Sequence, residues 1–316
     1  LREAEERLAQ SEEAVVYHRA LDQLLQFQRN DFSTILRAMQ GKPVVIRLLD
    51  APLHEFLPPH ETLAKEIAQL EAKGSRSAEL EEKESLLRAS KELRETNPML
   101  GHRGCRLGLT HPDVYEMQVR AIVDAAADLV RQGVDARPEI MIPLVAAASE
   151  FRTLLVRLRQ VVEETNSRLG LSLDIPFGTM IELPRAALAA GELARDASFF
   201  SFGSNDLTQM VFGFSRDDAE EKFLRFYIQR DLLAANPFET IDEEGVGRLM
   251  NIAVEAGRQS NNALEIGLCG EHGGDPSSVA FCHRIGLDYV SCSAPRIPAA
   301  RLAAAQAVIG DRERDV

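Results

Sequence analysis

Apolar positions along this chain follow a helical period at first and then give way to short strand-like runs separated by helical segments. Over residues 1–40, Leu21, Leu24, Leu25, Phe32, Ile35 and Leu36 are spaced for one buried helix face, and no strand is evident. Residues 43–49 (PVVIRLL) form a β-branched run that stops at Asp50, Pro52 and the pair Pro58-Pro59, the punctuation that ends a strand. Residues 60–95 are rich in Glu, Lys and Arg, and Gly74-Ser75 divides them into two helices, read as a solvated helical hairpin.

Beyond the hairpin, apolar runs lie at residues 139–145 (EIMIPLV), 173–183 (LDIPFGTMIEL), 199–203 (FFSFG), 264–270 (LEIGLCG) and 287–292 (LDYVSC). With residues 43–49 this makes six strands, and residues 100–105 are a candidate for a short seventh. A helix is predicted between two of them from Tyr115, Val119, Ile122, Val123, Ala126, Leu129 and Val130, closed by Gly133. Strand and helix in turn imply parallel strands with helical crossovers. Polar groups stand at the C-terminal ends of several runs: Arg47 and Asp50, Arg103, Glu182, Asn205 and Asp206, then Cys269, Glu271 and His272. An open doubly wound sheet gathers its ligand at one switch point, whereas a (β/α)₈ barrel builds its site from many strand ends. The pattern favours an α/β fold of the TIM (β/α)₈-barrel type, with residues 1–40 as an N-terminal helical segment and residues 60–95 as a helical insertion in one barrel domain over residues 1–316.

Composition narrows the function. The chain has 316 residues, 45% of them hydrophobic, and a formal net charge of −13. That is enough for a large core, and the acidic balance argues against an electrostatic grip on nucleic acid. Any phosphate must be held by a few placed cations or a metal. No apolar run approaches the roughly 18 residues needed to span a bilayer. The four cysteines (Cys105, Cys269, Cys282, Cys292) form no CxxC pair and no disulfide framework, which points to a reducing cytosol. The chain opens at Leu1, without Met, inside a helical pattern, as a piece of a longer or processed protein does.

Glu182 and Asp206 are carboxylates at adjacent strand ends with Asn205 beside them, a set of hard oxygen donors suited to a divalent cation, Mg²⁺ by default. The competing account is that Glu182 pairs with an Arg while Asp206 caps the helix after it. Arg47 and Arg103 stand in or beside apolar and glycine-rich stretches and would grip a small anionic substrate bidentately; alternatively they form structural ion pairs with Asp50 or Glu182. Arg216 is a third candidate clamp or a loop ion pair. Cys269, at a strand end opening into a Gly-rich loop with Glu271 and His272, is a candidate acid/base, against the plainer reading of an inert core thiol. His54, His102 and His272 sit in loops at the same end, and no histidine has metal-ligand spacing.

Five motifs, RLLDAPLHEFLP from Arg47, NPMLGHRGCRLG from Asn97, GTMIELPRAAL from Gly178, FFSFGSNDLTQ from Phe199 and GLCGEHGGDP from Gly267, occur in order. From about residue 20 to the end, the chain resembles the C-terminal phosphoenolpyruvate (PEP)/pyruvate-binding barrel of the pyruvate, phosphate dikinases. PEP synthase and enzyme I of the sugar phosphotransferase system share that barrel, but HEFLP, GHRGC and CGEHGGDP are more similar to the dikinases. The resemblance implies that Glu182 and Asp206 bind Mg²⁺ and that Arg47 and Arg103 contact the phosphoryl group. It implies that Gly203, Ser204, Asn205 and Asp206, with Arg216, bind substrate, and that the Cys269 thiol moves the proton at C3 of the pyruvate enolate. Partners implied are PEP, pyruvate, the phosphohistidine domain of the full-length enzyme and a second copy in a homodimer, with neither nucleic acid nor membrane. A module that binds PEP without turnover is the remaining alternative.

The chain also departs from that family. Ser204 stands where Thr is usual, and Ser293-Ala294-Pro295-Arg296 replaces a Ser-Pro-aromatic-Arg stretch. No ATP-grasp domain and no Thr-Ser-His segment with a phosphorylatable histidine is present, so ATP and phosphate chemistry is not expected on this chain. The family's first barrel strand, a glycine-rich run ending in Arg-Thr-Glu, has no counterpart in residues 1–40. The expectation is a barrel lacking its first strand, its gap covered by the N-terminal helices or a partner chain, or left open at the seam.

Overall fold

A computed structural model describes residues 12–72 and 77–314. The apolar runs become β1 (Pro43–Arg47), β2 (Arg137–Ile142), β3 (Phe177–Ile181), β4 (Phe199–Gly203), β5 (Glu265–Cys269) and β6 (Tyr289–Val290). All neighbours pair in parallel, in the order β1-β2-β3-β4-β5-β6. The order never reverses, so there is no switch point of the doubly wound kind.

The sheet curls. Side chains from β2, β3 and β4 (Met141, Met180, Phe199) form one cluster, and Val45 of β1 and Cys269 of β5 both pack against it. In a flat sheet β1 and β5 would stand about 19 Å apart at a spacing of ~4.8 Å per strand. Alternation assigns the two faces. Ile140, Ile142, Ile181, Phe200, Phe202, Ile266 and Leu268 point outward into the large core shared with the helices. Arg47, Ser201, Gly203, Gly267, Cys269 and Tyr289 have the opposite parity and share the concave face, and Glu182, one step past β3, has it too. The concave face is tight: a Cβ on Gly267 would lie 2.1 Å from the Tyr289 ring, so glycine lets that ring cross the sheet. Among the described residues β1 and β6 do not pair with each other, and the sheet is a partial barrel with two free edges.

The expectation of a strand near residues 100–105 is corrected. Pro98–Leu100 is a 3₁₀ turn and Cys105–Thr110 a helix. Gly104 adopts φ +58°, Arg103 turns its side chain inward to Asp50, and Cys105 N–H donates to Pro143 O at 3.0 Å, which draws this segment across the strand ends instead of into the sheet.

Within residues 12–40 there is a helix, Glu12–Ala38, and no strand. It packs on the helix Pro112–Arg131 through Leu21, Leu25 and Phe32 against Met117 and Ala121, and through Leu36 against Ala125, Ala126 and Leu129. Leu24 and Ile35, expected on the buried face, are 46% and 48% exposed, because a single neighbouring helix covers only a narrow strip. The helix Pro112–Arg131 follows its predicted periodicity, and Gly133 takes φ +79° just past its end. In the charged stretch, the helices His60–Ala72 and Ala78–Glu92 bury Leu63, Ile67 and Leu80 and are joined by an ion pair between Lys83 and Glu66 at 2.8 Å. Gly74-Ser75, the predicted break, lies outside the described residues, as do residues 1–11.

Candidate active site

Glu182 follows β3 and is completely buried. Its Oε1 accepts the Leu144 N–H at 2.6 Å, whereas Oε2 is buried with no N–H or hydroxyl donor and has only the Asp206 carboxyl to share a proton with. Leu144 reaches it from the left-handed region, at φ +60°, an arrangement that costs a non-glycine residue on the order of 1–3 kcal/mol. Asp206 lies beside Glu182, in the first turn of the helix Ser204–Phe212 that leaves β4. Burial first, then the charges of Asp206 and Asp50, push Glu182 well above the usual carboxylate range. Asp206 is raised as well, by burial first, with Arg103 opposing. Two buried carboxylates, one with an unsatisfied oxygen, fit a hard cation. Among the described residues no group of three or more His, Cys, Asp and Glu side chains is arranged to hold a metal, so the remaining positions would fall to water and substrate oxygens. Gly203 keeps the space open: a Cβ there would lie 2.8 Å from Glu182 Oε2.

Arg47 and Arg103 converge on one buried carboxylate. Arg103 Nη2 and Nε donate to Asp50 Oδ2 and Oδ1 at 2.7 and 3.0 Å, and Nε also reaches the Asp50 carbonyl at 2.9 Å. Arg47 Nη1 stands 3.4 Å from Asp50 Oδ2. The ion-pair alternative for both arginines is therefore present, with Asp50 as the shared partner. It does not use them up, because two cations face one anion and the Arg47 side chain is 48% exposed. Burial alone would weaken the Arg103 cation, but the hydrogen bonds and charge of Asp50 outweigh it and hold the guanidinium above its ordinary value.

Cys269 ends β5, in register with Gly203 of β4, and its Sγ is 3.5 Å from Phe202 O. Burial raises the thiol, and a hydrogen bond with Ser201 opposes that rise. Ser201 is also hydrogen-bonded to the Tyr289 hydroxyl, so one side chain joins Tyr289 to the thiol. Sequence reasoning missed Ser201 and Tyr289; the signal was the period-two step back from Gly203 to Ser201 on the concave face.

A cavity of about 290 Å³ gathers these groups, with Arg47, Asn205, Asp206 and Cys269 as its polar walls and Met141, Met180, Gly203 and Gly270 between them. Asn205 Oδ1 accepts the Glu271 N–H at 3.4 Å. Ser204 lies just behind the wall, between the Cys269 carbonyl and His272. Arg216 does not line this cavity: it faces Glu220 at 3.8 Å and covers the Phe238 ring at 5.8 Å. His102 bonds Thr110 at 2.6 Å, and the His54 side chain lies outside the described residues. Chemically, the cavity brings together the Asp206 carboxyl, a guanidinium able to meet an anion and a protonated thiol, with Glu182 buried behind Gly203 on the same concave face.

Comparison with known proteins shows the family of the chain. The family model described as "PEP-utilising enzyme, PEP-binding domain" matches residues 3–309. Pyruvate, phosphate dikinase of Entamoeba histolytica is 51% identical over 290 residues, covering 92% of this chain and 33% of that protein. The chloroplastic pyruvate, phosphate dikinase of Flaveria trinervia is 52% identical over 290 residues, covering 92% of this chain and 30% of that protein. The chain thus spans about a third of the length of the curated relatives it matches. A crystal structure of a citrate lyase from Burkholderia xenovorans covers 84% of this chain, which covers 78% of that one, at a TM-score of 0.41 and 15% identity. No helix among the described residues is long and apolar enough to cross a membrane.

Proposed function

The chain belongs to the PEP-binding domain family of PEP-utilising enzymes, and from that premise we propose that it is the PEP/pyruvate half-reaction module of a pyruvate, phosphate dikinase. The reaction joins pyruvate, through its enolate, to a phosphoryl group carried on a phosphohistidine of the full-length enzyme, and runs in reverse from PEP. A C3–H bond of pyruvate breaks, its proton passing to the Cys269 thiolate. The enolate oxygen then bonds to phosphorus as the P–N bond to histidine breaks. In the other direction the Cys269 thiol returns its proton to C3.

The observation that carries this reading is the Glu182 Oε2, without an N–H or hydroxyl donor, beside Asp206, on the same concave face as Arg47 and Cys269. Glu182 and Asp206 would hold Mg²⁺, which when bound supplies Lewis-acid stabilisation of negative charge on substrate oxygens. Arg47 donates into the cavity toward the carboxylate or phosphoryl group. Arg103, fixed by Asp50, adds positive field from behind the cavity wall. Asn205 and the Gly203–Ser204 turn orient the substrate, while the resemblance is the sole support for a substrate-binding role of Arg216, which faces Glu220 and Phe238. Burial keeps Cys269 a thiol at neutral pH, the form needed to protonate the enolate formed from PEP, and abstraction from pyruvate draws on the minor thiolate form.

In this reading the partial barrel is part of a (β/α)₈ barrel in which the helices of residues 60–92 are an insertion, and the domain acts as a homodimer in a reducing cytosol. Calorimetry with oxalate, which mimics the pyruvate enolate, tests the site. Heat that depends on Mg²⁺ is expected, and its absence sinks the assignment. Exchange of the pyruvate methyl hydrogens with deuterated water, followed by NMR, separates turnover from mere binding: Cys269→Ala should bind oxalate and lose exchange, and retained exchange counts against the acid/base role.

A further inference from the structure

Ser204 carries one hydroxyl hydrogen and meets two acceptors. Its Oγ lies 3.1 Å from the Cys269 carbonyl oxygen and 2.8 Å from His272 Nδ1. His272 is completely buried, and its Nε2 lies 2.8 Å from the Pro237 carbonyl oxygen. A carbonyl oxygen only accepts, so the hydrogen-bond network assigns a hydrogen to Nε2. In the uncharged ring Nδ1 is then an acceptor and takes the Ser204 hydrogen, leaving none for Cys269. In the charged ring Nδ1–H donates to Ser204 Oγ, and the hydroxyl turns to the Cys269 carbonyl. Every contact from Pro237 to Cys269 is then filled.

We propose that His272 is a positioning residue for Cys269: through the single hydroxyl hydrogen of Ser204, the protonation of the ring decides whether the Cys269 backbone carbonyl is gripped or released. The far end of the line is fixed, because Phe238 is fully buried and covered by the Arg216 guanidinium, so the change is expressed at Ser204. The near end is free to respond. Gly270 follows Cys269 at φ +124°, and a Cβ there would lie 2.5 Å from Ser204 Oγ, so the loop rests directly on the hydroxyl. The charged groups facing His272 are Asp275 and Glu271, which favour the charged ring, and Arg216, which opposes it. Burial is the largest influence and holds the ring below the ordinary histidine value, so it is uncharged at neutral pH and gains its proton only below the ordinary histidine range.

The consequence for catalysis rests on the function proposed above; the coupling itself does not. The test is an NMR titration of ¹⁵N-labelled protein from about pH 8 down to about pH 4, reaching below the ordinary histidine range. In the unmodified chain the Gly270 amide, whose peptide plane holds the Cys269 carbonyl, should shift with the same inflection as the His272 ring. Ser204→Ala should leave the ring titrating and Gly270 flat, Ser204→Thr should restore the coupling, and His272→Asn should remove the inflection. The rate of pyruvate methyl exchange should follow that inflection in kcat, with KM nearly unmoved, and should lose it in Ser204→Ala. A Gly270 amide that stays flat while the ring titrates, or that follows it equally in Ser204→Ala, overturns the proposal. A coupled Gly270 in a protein without methyl exchange upholds the positioning role and removes the dikinase reading instead.

Discussion

Leu144 donates its amide hydrogen to Glu182 Oε1 at 2.6 Å from a left-handed backbone, and in doing so leaves Oε2 buried without an N–H or hydroxyl donor. One oxygen is pinned so that the carboxylate cannot rotate, and the other is presented beside Asp206. A buried oxygen with no donor from the rest of the fold calls for an explanation. The strain at Leu144 and the position of this oxygen describe one device, a carboxylate set in place beside Asp206, which in the function proposed above would receive a cation.

This device gives the metal-free protein an unusual pH dependence. Burial, then Asp206 and Asp50, raise Glu182 above its unfolded value. Such a group stabilises the fold below the unfolded value, and the contribution is lost as pH rises through the folded one. Urea unfolding of metal-free protein should show stability falling steadily as pH rises from about pH 5 through neutrality. Glu182→Gln, a neutral isostere, should flatten that slope. A level or rising curve in the unmodified protein would remove the basis for the raised carboxyl.

Cation binding must expel the proton that Glu182 holds. Titrating Mg²⁺ with oxalate in two buffers of different ionisation enthalpy should therefore give different apparent heats, corresponding to about one proton released per site near neutral pH. Equal heats in both buffers would mean that the carboxylates are already ionised.

Arg103 and Asp50 form a buried pair in which each depends on the other. Asp50→Ala leaves the Arg103 guanidinium buried without its anion, and removing one member of such a pair costs about 3–5 kcal/mol. Denaturant unfolding should show a loss of that size, with Arg47→Ala, whose own side chain is half exposed to solvent, costing about 1 kcal/mol or less. Equal effects of the two variants would contradict the division between a fixed and a free guanidinium.

The strands were legible because each is a short apolar run between breaks, and the concave face because Arg47, Glu182 and Cys269 stand at or just past strand ends. The segment around Arg103 was not, since its short apolar spacing looks like a strand until Gly104 and the reach of Arg103 to Asp50 bend it away. Ser201 was overlooked because a serine inside FFSFG reads as a gap in an apolar run, and only the curl of the sheet puts it between Cys269 and Tyr289. Leu24 and Ile35 misled for a related reason: periodicity finds an apolar stripe, but the width of the neighbour decides how much of it is covered.

Ser201 hydrogen-bonds with Tyr289 as well as with the thiol, so Tyr289 helps to set where Ser201 points. Burial keeps the Tyr289 hydroxyl protonated throughout the physiological range. Tyr289→Phe leaves the ring in place and frees Ser201 to rotate. Pyruvate methyl exchange should fall about tenfold or more in kcat with KM within about twofold, the pattern of a lost positioning contact. Unchanged kcat would show that Ser201 needs no help in orienting Cys269.

Gly203 is where shape alone decides binding. A Cβ at this position would lie 2.7 Å from Met180 Cε and 2.8 Å from both Cβ and Oε2 of Glu182, so an alanine methyl meets the carboxylate on the side that should face the cation. Met180 is flexible at its end and can give way, whereas Glu182 is pinned through Leu144 and cannot. Overpacking of this kind costs about 1–3 kcal/mol, which a protein of this size should survive. Gly203→Ala should therefore stay folded by circular dichroism and lose Mg²⁺-dependent oxalate binding by at least about 100-fold, because the methyl covers the oxygen that the cation must reach. Binding that survives the substitution would place the cation away from Glu182 Oε2, and the argument from the orphaned oxygen would fall with it.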